Sequence, residues 1–209
     1  MIPWAKVFAG SKWFHVTGIT PALSASSAAA TREAMMAAKG AGVKTSMDLN
    51  YRVKLWTTTE AGNCLSDLMQ YCDVLITTEE DVEKVFGITG SNYEEVAAKV
   101  ADKFKLDIVA ITLRENPLVW RNTWTGMAYQ KGKVYKTRTY EVEIVDRLGA
   151  GDSFAAGLIH GLLGGDVQNA LDWGVATSAI KHSIPGDFAW VRPEEVEALL
   201  KGGGLRISR

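Results

Sequence analysis

Cysteine is scarce in this chain of 209 residues: only Cys64 and Cys72 occur, and neither has a second Cys or a His at metal-ligand spacing. A reduced, cytoplasmic protein is the expectation. An excess of one charge is missing too, since 23 Lys and Arg face 24 Asp and Glu for a formal net charge of −1. No polybasic arm for nucleic acid or a membrane surface is present, so ligands should be recognised locally. No uninterrupted apolar stretch approaches the roughly 18 residues of a membrane span, and the start Met1-Ile-Pro-Trp-Ala-Lys lacks the basic region and apolar run of a secretion signal. Repeats, low-complexity tracts and dividing linkers are also absent, which predicts a single α/β domain over residues 1–209. What is plentiful is apolar side chain: 47% hydrophobic content is ample for a packed core and excludes a disordered or fibrous chain.

The hydrophobic pattern alternates short apolar runs with longer stretches of helical period, the signature of a mostly parallel sheet with crossover helices. Strands are expected at 13–17, 43–47, 74–76 and 108–113. Helices are expected from Ser24 to the glycines at 40 and 42, from about Thr59 to Tyr71, over Glu79 to Phe86, and after a capping box of Asn92 and Glu95. Between Leu118 and Val145 shorter alternating segments predict antiparallel hairpins. Helical period returns at Gly151, with Gly157 and Gly161 allowing close packing and Gly164-Gly165 as the stop. Asp166 should cap another helix to about His182, and Pro193 should open a last one closed by Gly202 to Gly204.

The most informative segment is Asp146-Arg147-Leu148-Gly149-Ala150-Gly151-Asp152-Ser153-Phe154, which follows a strand and opens a helix. Free N–H groups at a helix N-terminus, helped by the macrodipole, stabilise an anion, and Gly149 and Gly151 let a phosphate approach without Cβ interference. Asp152 would there be favoured as an anion beside a transferring phosphoryl group, able to accept a hydroxyl proton. A second reading fits the same residues: a tight turn with Asp152 as a helix cap. A dinucleotide fingerprint is excluded because Phe154 stands where the third glycine belongs, and no Gly-Lys-Ser/Thr phosphate loop occurs.

A further constellation, Asp48-Leu-Asn50-Tyr-Arg52-Val-Lys-Leu55-Trp56, follows the strand expected at 43–47. Ligands of open α/β sheets bind at strand carboxyl ends, and the rigid fork of Arg52 suits a carboxylate or phosphate that Asp48 and Asn50 could help orient. A polar loop with Arg52 solvated and Trp56 packed inside is the alternative. His15, His160 and His182 lack partners at triad or metal spacing and are expected to be structural. Of the seven tryptophans, Trp173 and Trp190 are weak candidates for a nucleotide site.

The stretch Asp146 to Phe154, with Ala155-Ala156-Gly157 after it, closely resembles the second signature of the PfkB, or ribokinase, family of carbohydrate kinases. Asp48 to Trp56, Gly18-Ile-Thr-Pro-Ala-Leu23, Thr112-Leu-Arg-Glu115 and His182-Ser-Ile-Pro-Gly-Asp-Phe188 resemble its 2-keto-3-deoxygluconate kinase branch, and the similarity runs from about Trp4 to the last residue. The resemblance implies a ribokinase-like three-layer αβα fold, a mostly parallel sheet flanked by helices with an antiparallel hairpin section, and ATP and Mg²⁺ as cofactors. It implies that Asp152 is the catalytic base, that the backbone of Gly149, Ala150 and Gly151 is the anion hole, and that Arg52, Asp48, Asn50 and Asp187 serve the sugar acid. Ala176, Ile184 and Leu113 would line the adenine side and Asp146 would lie near the ions. Where many relatives carry Asn-x-x-Glu near the metal, this chain has Thr78-Glu79-Glu80-Asp81, so a metal role for Asp81 competes with plain helix-start acidity.

Measured against that family the chain begins near the middle, without the Gly-rich N-terminal half-site and the small β lid. Two functions follow as expectations. One is ATP-dependent phosphorylation of a sugar acid, 2-keto-3-deoxygluconate to its 6-phosphate, with this chain weak or inactive by itself because closure and water exclusion would be lost. The other is a nucleotide-binding or assembly module without chemistry. An uncovered sheet edge would favour self-association into a homo-oligomer.

Overall fold

A computed structural model describes residues 2–118 and 120–202. The chain forms two compact units, Met1–Ile111 with Tyr129–Lys133, and Thr112–Ala128 with Val134–Arg209. Their boundaries fall inside or beside strands, in keeping with a sequence that has no linker composition.

The first unit contains α1 (Trp4–Val7), β1 (Trp13–Thr17), α2 (Ile19–Ala22), α3 (Ala25–Gly40), β2 (Lys44–Asp48), α4 (Thr58–Met69), β3 (Val74–Thr77), α5 (Glu79–Phe86), α6 (Tyr93–Phe104) and the first part of β4 (Ile108–Leu118). Its strands pair in parallel, with His15 opposite Ser46, Ser46 opposite Val74, and Val74 opposite Ile108. Parallel neighbours need long crossovers, and the helices between the strands supply them. Each main helix starts where a short polar side chain can accept a free amide: Ser24 from Ser27, Thr57 from Glu60, Thr78 from Asp81 and Asn92 from Glu95. The full capping box closes at Thr57 and Glu60. At Asn92 it closes one residue earlier, because the Glu95 carboxylate accepts from the Ser91 amide and pairs with Lys99. Lys99 and Ser91 together hold Glu95 down at about 2. The four-residue helices α1 and α2 are too short to carry periodicity, and the sequence does not announce them.

At the amino ends of the strands the buried Asp73 accepts from the Thr45 amide at 2.9 Å and from Lys39 at 2.5 Å. Burial opposes its ionisation, but these partners win and its pKa lies below the ordinary carboxylate value. That end of the sheet is locked by charge pairing, and the carboxyl ends are left to carry loops.

The second unit holds the rest of β4, most of β5 (Arg121–Gln130) and β6 (Lys133–Lys136), then β7 (Tyr140–Glu143), α7 (Ala150–Leu162), α8 (Val167–Lys181) and α9 (Pro193–Leu200). The expected hairpin section is antiparallel where β5 meets β7, with Trp124 opposite Tyr140, and Val119 lies outside the described residues. Asp166 caps α8 by accepting from the Asn169 amide at 2.6 Å. Gly202 takes a left-handed turn after α9, while Gly203 and Gly204 lie outside the described residues.

Helix α7 lies directly against α8 because two of its positions lack a side chain. A Cβ on Gly157 would stand 2.7 Å from the Trp173 carbonyl oxygen, and one on Gly161 would overlap the Ala170 backbone. The tight seat keeps Phe154 and Leu158 fully buried and fixes the direction in which the start of α7 points. Gly161→Ala should therefore destabilise the chain by about 1–3 kcal/mol, because overpacking against backbone outweighs the gain of up to about 1 kcal/mol in helix propensity. Chemical denaturation of the variant would measure this, and an unchanged midpoint would contradict the packing argument.

Candidate active site

The segment after β7 is tied down before α7 begins. The amides of Val145 and Asp146 both donate to the His182 carbonyl oxygen, at 2.9 and 3.2 Å. The Asp146 carboxylate accepts from the Leu148 amide through one oxygen and from the Gly186 amide through the other, each at 2.9 Å. These two amides, with a smaller contribution from the charge of Lys181, hold Asp146 below the usual carboxylate range. Asp146 thus joins the turn before α7 to the turn after α8.

Gly149 occupies the N-cap position with φ 77°, a left-handed conformation that favours glycine. It is also a point of close approach between the two turns, since a Cβ there would overlap the carbonyl oxygen of Asp187. Ser153 supplies the first helical bond, its amide reaching the Gly149 carbonyl at 2.9 Å and its hydroxyl reaching the same oxygen at 2.7 Å. Helix geometry leaves the amides of Gly151 and Asp152 without acceptors inside the helix. The space where Gly151 would carry a Cβ is open. An anion can therefore approach this first turn from outside.

Asp152 is exposed and lines a cavity of about 390 Å³ together with Gly149, His160, Trp173, Thr177, Asp187, Phe188 and Arg192, all within the second unit. The volume falls in the usual range for small-molecule sites. Asp152 and Asp187, both expected from the sequence, thus share one cavity with Gly149. Ala150 is buried at the base of the turn and Gly151 is exposed. Ala176 is fully buried inside α8, Ile184 and Leu113 are half-buried, and none of the three is among the cavity's lining residues.

His160 and Arg192 are lining residues that the sequence reading leaves aside. His160 sits two helical turns beyond Asp152 on the same face as Ala156, and its ring centre lies 4.5 Å from that of Trp173. The spacing of 152, 156 and 160 was a usable signal; for Arg192 none was present. Trp190 is exposed beside Phe188 and does not line the cavity. The other histidines serve packing networks: His182 is buried with Nδ1 against the Ser178 carbonyl oxygen, and His15 Nδ1 lies 2.8 Å from the Ser46 hydroxyl.

In the first unit, Asp48, Asn50 and Arg52 follow one another off the carboxyl end of β2. The Gly18 amide donates to the Asp48 carbonyl at 2.7 Å, and the Leu49 amide to the Ile76 carbonyl at 2.9 Å. Asn50 has φ 41°, a left-handed backbone for a residue with a side chain, and its Nδ2 donates to the Thr17 hydroxyl at 3.2 Å. Such backbone outliers accumulate at functional loops. Arg52 is exposed and acts electrostatically on Asp81. Burial raises the pKa of Asp81, and the Thr78 hydroxyl and the Arg52 charge offset this only in part.

Among the described residues no three His, Cys, Asp or Glu come together as a metal cage. Mg²⁺ does not require one, because it keeps several waters and binds through one or two carboxylates plus substrate phosphates. The exposed carboxylate of Asp187 at the cavity fits that donor set, whereas both oxygens of Asp146 already accept from backbone amides.

The pfkB family carbohydrate kinases match this chain over residues 4–187. A 2-dehydro-3-deoxygalactonokinase of Haloferax volcanii is 36% identical over 197 residues, covering 94% of this chain and 59% of the relative. A 2-dehydro-3-deoxygluconokinase of Thermoproteus tenax is 32% identical over 90% of this chain and 54% of its own length. The crystal structure of the 2-dehydro-3-deoxygluconokinase of Thermotoga maritima superposes with a TM-score of 0.92 at 42% identity, covering 96% of this chain and 63% of that one. The chain thus spans between 54% and 63% of the length of these relatives. A mixed sheet of mostly parallel strands flanked by helices, the ribokinase-like fold that the sequence motifs imply, is what it shares with them. With a signature turn, a fold and a match across most of its length all agreeing, the chain belongs to the pfkB family of carbohydrate kinases.

Proposed function

We propose that this chain carries the nucleotide and phosphoryl-transfer site of an ATP-dependent sugar-acid kinase, with 2-keto-3-deoxygluconate as substrate and its 6-phosphate as product. One observation carries the reading: an exposed carboxylate, Asp152, in the first turn of a helix whose N-cap is left-handed Gly149, on the wall of a cavity of small-molecule size. The names of the relatives point to the same substrate class.

On this reading the primary hydroxyl of the sugar acid loses its proton to Asp152 as its oxygen bonds to the γ-phosphorus. The bond from that phosphorus to the β–γ bridging oxygen breaks and ADP leaves. Charge spreading over the transferring group would be met by the amides of Gly149, Ala150 and Gly151; the Ala150 amide, which donates to the Arg147 carbonyl oxygen at 3.3 Å, would exchange that acceptor for the phosphate. Mg²⁺ would be held at the cavity through the Asp187 carboxylate and the phosphates themselves, and would supply positive charge that neutralises part of the nucleotide's. Arg52, with Asp48 and Asn50, supplies a fork for the carboxylate of the sugar acid, and Asp187 contacts substrate at the cavity. Ala176, Ile184 and Leu113 belong to the adenine side. Asp146 acts through the amides it holds, and Asp81 would stand on the metal side, its ionisation favoured by the Arg52 charge.

Calorimetry of the chain with Mg-ATP, followed by a coupled assay with 2-keto-3-deoxygluconate, tests the proposal. Nucleotide should bind with a stoichiometry near one, and phosphate should appear on the sugar acid at a low rate, in line with the weak activity expected of this chain by itself. Binding without transfer would favour a nucleotide-binding module, and a chain that ignores nucleotide altogether would overturn both readings.

A further inference from the structure

A serine or threonine hydroxyl inside a helix, when not in solvent, commonly bonds the carbonyl oxygen four residues earlier. Thr177 of α8 does so, donating to the Trp173 carbonyl at 2.7 Å. Ser178, the next residue, does not. Its hydroxyl leaves α8 and donates to the carbonyl oxygen of Ala150, the first residue of α7, at 2.7 Å. The side-chain-free seam between the two helices makes so short a bridge possible: a Cβ on Gly157 would stand 2.9 Å from the Gly174 Cα, and one on Gly174 3.0 Å from the Phe154 carbonyl oxygen. Ser178 has no exposed surface and Ala150 is buried as well, so water does not compete for this bond.

The acceptor matters because of what shares its peptide plane. The Ala150 carbonyl and the Gly151 amide belong to one planar trans unit, in which C=O and N–H point opposite ways. A bond that fixes the direction of the oxygen therefore fixes the direction of the Gly151 N–H, which has no acceptor inside the helix. By helix geometry the Phe154 amide takes one lone pair of the Ala150 oxygen, and the Ser178 hydroxyl takes the other. Polarisation of that carbonyl also makes the N–H of the same peptide a stronger donor. The segment ahead of the turn leans on the same part of α8: His182 Nδ1 donates to the Ser178 carbonyl oxygen at 2.7 Å, and the His182 carbonyl accepts from the Val145 and Asp146 amides. Both ends of the 146–150 turn thus rest on the last turn of α8.

We infer that Ser178 is a positioning residue for phosphate binding: its buried hydroxyl orients the Ala150–Gly151 peptide so that the Gly151 N–H is aligned for an anion before one arrives. This rests on the function proposed above for that turn. A space-filling role would need only a side chain of the size of serine at this position. The role inferred needs a strong donor.

Two variants of the whole chain separate the roles. Ser178→Ala removes the donor, and Ser178→Cys fills the place with a weak one. Mg-ATP affinity, read by calorimetry, should fall about three- to tenfold in both, the upper end being the worth of one neutral hydrogen bond. Magnesium tripolyphosphate should lose by the same factor, because the Gly151 N–H would meet phosphate and not the base. The amide nitrogen resonance of Gly151, which senses the bond made by the preceding carbonyl, should move in both variants. Wild-type affinity in Ser178→Cys beside a loss in Ser178→Ala would make the residue a spacer and overturn the inference, as would an unmoved Gly151 resonance in a folded variant or a loss confined to ATP. Should one variant fail to fold, the other decides alone, wild-type affinity counting against. If the wild-type chain binds no nucleotide, the proposed function fails, while the Gly151 resonance still reports on the Ser178 bond directly.

Discussion

Asp152→Asn is expected to cut phosphate transfer by about 10²–10⁴-fold, the usual contribution of a positioned general base, while leaving nucleotide binding intact or tighter. The two halves of this result have separate causes. Asn keeps the size of the side chain but cannot take the proton of the attacking hydroxyl. It also removes a negative charge from the helix start to which the triphosphate must come, and like charges within a few ångström oppose each other. Asp152 is exposed and makes no packing contribution that Asn could not replace, so the fold should be unaffected. Single-turnover transfer and calorimetry on the same preparation would read both halves. Normal turnover in the variant would remove Asp152 from the role of base; a drop in transfer matched by an equal drop in ATP affinity would make it a binding residue.

Gly149→Ala should be the most damaging single methyl group in the second unit. The residue would have to adopt φ 77° with a side chain, a strain of about 1–3 kcal/mol. Its Cβ would also overlap the Asp187 carbonyl oxygen, and relieving that against backbone costs about 1–3 kcal/mol more. A loss of about 3 kcal/mol corresponds to a fall in Tm of about 6–12 °C for a chain of this size. Gly151→Ala is the informative contrast, because open space surrounds its missing Cβ. There the melting temperature should hold or rise slightly with helix propensity, while nucleotide affinity falls because the methyl group stands where the anion approaches. Thermal melts of both variants beside ATP titrations would show the separation. Equal melting temperatures would mean that the contact between Gly149 and Asp187 does not constrain the turn.

Much of the fold was legible because its signals are local. Strand β1 spans the residues its alternation indicates, α5 ends at the left-handed Gly87 that follows its last apolar residue, and Asp166 caps α8 as its position before an apolar run suggests. The packing role of Gly157 and Gly161 was legible from spacing on one helical face. Strand β4 runs five residues past its expected end at Leu113, because its polar continuation is paired as sheet without an apolar pattern to announce it. Of the site, the turn from Asp146 to Asp152 was readable as a motif. Arg192 was not, since its presence at the cavity depends on how the segment after Gly186 lies along α7, whereas His160 was signalled by its spacing from Asp152 on one helical face.

By itself the sequence determined which residues could do chemistry: a turn of glycines ahead of a helix and an acid in its first turn restrict the backbone to an anion-binding shape wherever that segment is placed. It also determined the alternation of strand and helix, because apolar period is a property of neighbouring residues. Tertiary structure alone decided the rest. It set the Asp187 carbonyl against Gly149, gave one Asp146 oxygen to the Gly186 amide 40 residues away, and enclosed the Lys181 side chain. Such contacts join segments whose separation along the chain leaves no local trace, and their energies exist only once both partners have been brought together and taken out of water.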